Sequence, residues 1–132
     1  MTRFFTILAS LPIASAAAAA APIEGRWMNP KESVIVYVAP CGDATWCGRV
    51  SWASAKAKAN AKTGGTTNLV GSRLLTGLKP DGRGSYKGRV YLPKRNMHAG
   101  ATVSTAGSDI LLVKGCAVAG TLCKQQRWTR VH

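Results

Sequence analysis

The sequence predicts an all-β domain, folded as a single antiparallel up-and-down barrel of about eight strands, with a β-sandwich as the alternative. Three observations carry this reading. Short runs rich in β-branched and aromatic residues recur, broken by Gly, Pro, Asn and Asp at intervals of about ten to fifteen residues. Within several runs apolar and polar side chains alternate, the period-two signature of a pleated strand, while helical periodicity is nearly absent. About eight sequential antiparallel strands in roughly a hundred residues can also close on themselves, which removes exposed edges.

The chain opens MTRFFTILASLPIASAAAAAAPIEG, with a positive Arg3, an apolar run from Phe4, and small residues ending at Ala21. That order is the layout of a secretory signal peptide. Residues 1–21 are therefore expected to be removed, with overlapping A-x-A registers leaving the cut itself open. No transmembrane anchor is expected after that removal, because Pro12 interrupts the run and no basic stop sequence follows. Residues 22–132 then form one domain, exported to the periplasm or secreted.

Strands are predicted near Gly25–Asn29, Ser33–Ala39, Cys47–Ala53, Ser72–Leu78, Ser85–Leu92, Ala101–Thr105, Asp109–Gly115 and Gln126–Val131. Val50 and Trp52 share one face, opposite Arg49 and Ser51. Tyr86, Val90 and Leu92 share another, opposite Lys87 and Arg89. "KPDGRG" (Lys79–Gly84) and "AGSD" (Ala106–Asp109) carry hairpin chemistry. The segment Ser54–Asn68 is small, polar and basic without an apolar face. It reads as a long loop, with a short helix over its Ala/Lys part as the other option.

Four cysteines in an exported chain read as two disulfides. Cys41 and Cys47 flank a reversal containing Gly42 and Asp43, and Cys116 and Cys123 flank one containing Gly120. Sequence alone allows three connectivities. Local pairing, Cys41–Cys47 and Cys116–Cys123, joins positions that a reversal already brings close, and each short loop contributes about 2–2.5 kcal/mol in the chain-entropy view. Neither spacing suits a C-x-x-C redox pair or a structural zinc site, so no metal and no cofactor is expected.

Catalytic residues are not apparent. The five acidic side chains, Glu24, Glu32, Asp43, Asp81 and Asp109, fall in turns or at strand ends, where turn hydrogen bonding is their usual role. No facing carboxylate pair and no G-x-S-x-G elbow is present. His98, in the loop-like "PKRNMHAG", is the only side chain that could serve an enzyme with a neighbouring serine; His132 ends the chain.

Charge stands out. The net charge is +13, and loss of Arg3 with the leader leaves 17 basic against 5 acidic residues, or +12. Lys56, Lys58 and Lys62 cluster on the long loop, and Arg83, Lys87, Arg89, Lys94 and Arg95 along the hairpin after Lys79, with Trp52, Tyr86 and Tyr91 nearby. These eight cations are the candidate anion-binding set. Such a surface attracts polyanions at a distance. Export argues against nucleic acid and for lipid head groups, lipopolysaccharide phosphates or acidic glycans.

In the order "GRW", "APCGDATWCGRV", "LLTGLKPDGRGSYKGRVYLP", "VKGC" and "LCKQQRWTRV", the chain resembles the bacterial secreted family called domain of unknown function 2147, over essentially the whole mature length. The resemblance implies an exported Gram-negative protein with a compact calycin-like barrel and implies no activity. An acidic Asp-x-x-Asn-Pro stretch of many members is replaced here by "TGGTTNLVGSR", which keeps Asn68 without a carboxylate. A looser similarity to lipocalins lies in Gly25-Arg26-Trp27, which would open the first strand. There a basic residue of the last strand covers the tryptophan, a role that Arg127 or Arg130 would take. The expected function is a non-enzymatic binding or accessory module for an anionic or amphipathic envelope molecule. The rivals are a carrier of an apolar ligand held among Val50, Trp52, Val90 and Leu112, and a hydrolase using His98. Oligomeric state is not legible.

Overall fold

The computed structural model describes residues 6–10, 21–117 and 122–132. Most of the predicted leader, and Gly120 of the last predicted reversal, lie outside the described residues. No helix among those described is long and apolar enough to cross a membrane.

Eight strands form in chain order: β1 (Gly25–Met28), β2 (Val34–Gly42), β3 (Thr45–Ala53), β4 (Arg73–Pro80), β5 (Tyr86–Leu92), β6 (Met97–Thr105), β7 (Ile110–Ala117) and β8 (Leu122–Val131). Each pairs antiparallel with its sequence neighbour, and β1 pairs with β8 through Arg26–Val131, Trp27–Arg130 and Met28–Thr129. The sheet is a closed barrel and not a sandwich. Closure gives every strand two partners, but the short β1 covers only Thr129–Val131 of β8, so Lys124–Trp128 pair with β7 alone.

Alternation decides what fills it. Trp27, Val36, Val38, Leu75, Val103 and Leu111 point inward and are at most 1% exposed. They belong to one continuous cluster that spans the interior, as expected for a small barrel whose inside is just wide enough for side chains.

Four details differ from the sequence reading. The Ser54–Asn68 segment contains a helix, α1 (Ala55–Thr63), because Ala and Lys are strong helix formers and the Ser54 hydroxyl accepts the Ala57 amide at 3.1 Å as an N-cap. Only Ala61 is buried on it, consistent with the absence of an apolar face. His98 is not in a loop. The turn between β5 and β6 is confined to residues 93–96, with Asn96 at φ 49°, so β6 begins at Met97 and His98 lies opposite Tyr91 on the outer wall. Trp52 does not share the face of Val50. The register shifts between Ile35 and Val36, which pair with Trp52 and Val50, so Ser51 is an extra residue and Trp52 turns outward. Arg127 does not reach the barrel end, as described below.

The β2–β3 hairpin turns through Asp43 and Ala44, both left-handed at φ 51° and 56°. Two positive-φ residues between paired strands match the twist of the sheet, and Gly is normally preferred at the second. A Cβ in this region costs about 1–2 kcal/mol. Ala44→Gly is therefore expected to stabilise the domain by about 0.5–1 kcal/mol, read as a rise in the thermal midpoint. The Cys41–Cys47 bridge already restrains this loop in the unfolded chain, which limits the entropy glycine would add there. An unchanged or lowered midpoint would show that the turn carries no such strain.

Candidate functional site

Both cysteine pairs are local disulfides. Cys41–Cys47 staples the β2–β3 hairpin with Cα atoms 5.7 Å apart, and Cys116–Cys123 joins directly opposed residues of β7 and β8 at 4.0 Å.

One end of the barrel is sealed by residues 21–24. The indole of Trp27 is fully buried and donates to the Ile23 carbonyl at 2.9 Å. The Arg130 guanidinium lies over that indole, 4.2 Å from the ring centroid. Its Nη1 donates to the Glu24 carbonyl at 2.9 Å, Nη2 to Pro22 at 3.1 Å and Nε to Ser108 at 2.8 Å. Glu24 in turn accepts from the Trp46 indole at 2.8 Å. Arg130 shares the inward parity of buried Trp128 on β8, whereas Arg127, one residue before Trp128, points out and pairs with Leu112. Gly25 makes the approach possible: at φ 127° it takes a backbone that side chains rarely adopt, and a Cβ there would stand 2.5 Å from Arg130 Nη1.

The opposite end carries α1. Its C-terminal Gly64 sits against the Lys94 carbonyl, Thr66 Oγ1 lies 2.7 Å from the Tyr91 hydroxyl, and that hydroxyl donates to Asn96 at 2.6 Å. The fold thus brings Lys62 of α1 toward the turn bearing Lys94 and Arg95. Lys56 and Lys58 lie earlier on the same helix, and Lys58 borders a depression of about 190 Å³ with Asn68 and Val70.

Arg83 is at the other rim. Lys87 pairs with Lys79, and Arg89 lies farther along the outer side of β5. Asp81 anchors this β4–β5 turn by accepting the Arg83 amide at 2.8 Å and the Ser85 amide at 3.2 Å. The Arg83 amide above all holds the Asp81 carboxyl below its ordinary 3.8; the Ser85 amide and the charges of Lys87 and Arg83 add to this, and partial desolvation opposes it. A carboxylate with a lowered value stabilises the fold above its unfolded value, so this contribution is present above pH 3.8 and is lost as pH falls through the lower folded value. Asp81→Asn is expected to remove that acid-side dependence, seen as loss of the corresponding step in the Ser85 amide shift during an NMR titration.

The eight candidate cations therefore form two groups, one at each end, linked by Arg89. The sequence reading missed the larger pattern. Within β1 to β8 stand ten lysines and arginines and no carboxylate; all five acids lie outside the strands. Lys79, Lys87, Thr102, Lys114 and Gln125 are successive cross-strand partners from β4 to β8. Lys79 opposite Lys87 is a like-charge pair, which costs stability. Among the described residues the one pairing of a lysine or arginine with a carboxylate is Arg130 with Asp109 at 4.0 Å, and the His132 ring nitrogen lies 3.4 Å from the same carboxylate. The outer wall keeps its charge unneutralised.

His98 contacts the Tyr91 ring, centroids 5.0 Å apart. Of the four residues considered as the lining of an interior cavity, Val50 and Val90 are buried in the packed core, while Trp52 and Leu112 lie on the outside. The two best-formed depressions among the described residues, about 170 and 190 Å³, open at the two barrel ends.

The closed eight-stranded wall, the Gly25-Arg26-Trp27 opening and the guanidinium over its tryptophan define a lipocalin-like barrel. A solved structure described as protein HP1028 from the human pathogen Helicobacter pylori, of the lipocalin family, shares it with a TM-score of 0.62, 16% identity, and coverage of 83% of this chain and 82% of that one. Residues 25–130 match the family described as uncharacterized protein conserved in bacteria (DUF2147), and the chain belongs to that family. Among curated proteins none matches.

Proposed function

We propose that this chain is a non-enzymatic binding or accessory module that holds an anionic envelope molecule against the outside of its barrel, in the periplasm or outside a Gram-negative cell. One observation carries the reading: of the ten cations on the strands, nine are exposed on the outside with no strand carboxylate among them, around an interior filled with side chains. Like-charged neighbours such as Arg49 and Arg73 cost stability that an anionic partner would offset. Two disulfides suit an oxidising compartment. Membership of a bacterial family is compatible with the same setting. The lipocalin likeness suggests binding, but here the core cluster occupies the space where a lipocalin-like carrier would place an apolar ligand. This favours the exterior over the interior.

The test is retention of the oxidised domain on heparin, and its sedimentation with phosphatidylglycerol vesicles, across a salt series. Affinity is expected to fall steadily with salt, because bound cations release counterions. Absence of binding to both probes, or retention that does not weaken with salt, would overturn the proposal.

A further inference from the structure

A second row of residues crosses the other half of the wall. Arg26 on β1, Tyr37 on β2, Arg49 on β3 and Arg73 on β4 are successive cross-strand partners. All four are exposed, and Tyr37 retains half of its surface. Toward the α1 end stands Trp52, 45% exposed and paired with Ile35, two residues from Tyr37 on the same face of β2. Trp52 is the exception among four tryptophans. Trp27, Trp46 and Trp128 each donate their indole N–H at 2.8–2.9 Å. The Trp52 N–H and the Tyr37 hydroxyl have no partner among the described residues. An exposed tyrosine between two arginines, with a half-exposed indole beside it on the same wall, is an amphipathic surface of the kind that binding partners use.

We infer that this face, Arg26–Tyr37–Arg49–Arg73 with Trp52, is the binding site for a linear acidic polysaccharide. The inference rests on the exterior-binding reading and names its ligand class. Guanidinium forks pair bidentately with carboxylate or phosphate groups. Tyr37 and Trp52 offer negative ring faces to the weakly positive C–H faces of sugar rings. Shape selects among anionic partners. Arg26 and Arg73 are separated by three of the eight interstrand steps around the wall, so they point in widely different directions. A planar lipid surface cannot meet both at once, whereas a flexible chain laid across the strands follows the convex row and meets each in turn.

The experiment compares three proteins by titration with size-fractionated polygalacturonate: wild type, the triple variant R26Q/R49Q/R73Q, and the charge-matched triple variant K79Q/K87Q/K114Q. The disulfides and circular dichroism of each confirm its fold. The arginine variant is expected to lose affinity about tenfold or more, with the slope of log affinity against log salt falling by about two. The lysine variant is expected to keep most of the affinity. Polygalacturonate should quench wild-type tryptophan fluorescence, and Trp52→Phe should abolish the quenching. Y37A/W52F should weaken binding without altering the salt slope.

Equal weakening by the two triple variants would overturn this site while leaving exterior binding intact. Tighter binding of short oligothymidylate or phosphatidylglycerol vesicles than of polygalacturonate would overturn the polysaccharide assignment. A wild type that binds none of the three probes would overturn the exterior-binding reading itself.

Discussion

Trp27→Ala is expected to cost about 3–5 kcal/mol, the range for deleting a buried aromatic without room to collapse, and a large share of the total stability of a domain of this size. Trp27 is fully buried, belongs to the core cluster and anchors the Ile23 carbonyl through its N–H. It also carries the Arg130 guanidinium, whose three hydrogen bonds reach Pro22, Glu24 and Ser108. Arg130→Met removes those bonds and the cation over the ring together, at an expected cost of about 2–4 kcal/mol. The two side chains meet across the β1–β8 seam, the pairing that turns a meander into a barrel. Urea unfolding of both single variants and the double variant measures their coupling, expected at about 0.5–2 kcal/mol for a cation against an indole face. Strict additivity would mean that the guanidinium merely lies near the ring without stabilising it.

Gly64→Ala should destabilise the domain by about 1–3 kcal/mol, even though local preference points the other way. At the end of α1 its φ of −82° suits any residue, and alanine favours helix over glycine by about 1 kcal/mol. Tertiary contact decides the sign. A Cβ at Gly64 would be driven into the backbone carbonyl of Lys94, and backbone cannot swing aside as a side-chain tip can. The Lys94 turn is itself held by Thr66 Oγ1 donating to the Pro93 carbonyl at 2.8 Å and by the Tyr91–Asn96 bond. The helix would have to lift from the barrel end. Thermal unfolding should show the loss, and amide exchange in Ala55–Thr63 should accelerate. A more stable protein with unchanged exchange would mean that the approach is loose enough to relax.

Much of this architecture is legible in the sequence because it is written locally. Strand alternation, hairpin chemistry at Lys79–Gly84, and cysteines flanking reversals depend on residues a few positions apart, and closed-barrel topology follows when each strand pairs with the next. The Gly25-Arg26-Trp27 opening and a basic residue near the C-terminus also pointed to the sealed end, although choosing Arg130 over Arg127 required the parity of β8, which Trp128 sets. What sequence could not give depends on register. One extra residue at Ser51 reverses Trp52, and a turn confined to 93–96 moves His98 onto a strand. Clustering of charge along the chain directed attention to Lys56–Lys62 and Arg83–Arg95. The row from Arg26 to Arg73 is scattered over 48 positions and is assembled only by three successive pairings with a shifted register. Trp52 reads as a partner of Val50 on the inner face until the bulge assigns it to the outside.

A ring of strands with cations but no carboxylates along them offers a neighbouring copy no opposite charge to neutralise on its wall. Crowding this molecule should therefore leave copies repelling one another through their sides. Something of the contrary sign, long enough to touch two barrels, would be what gathers them.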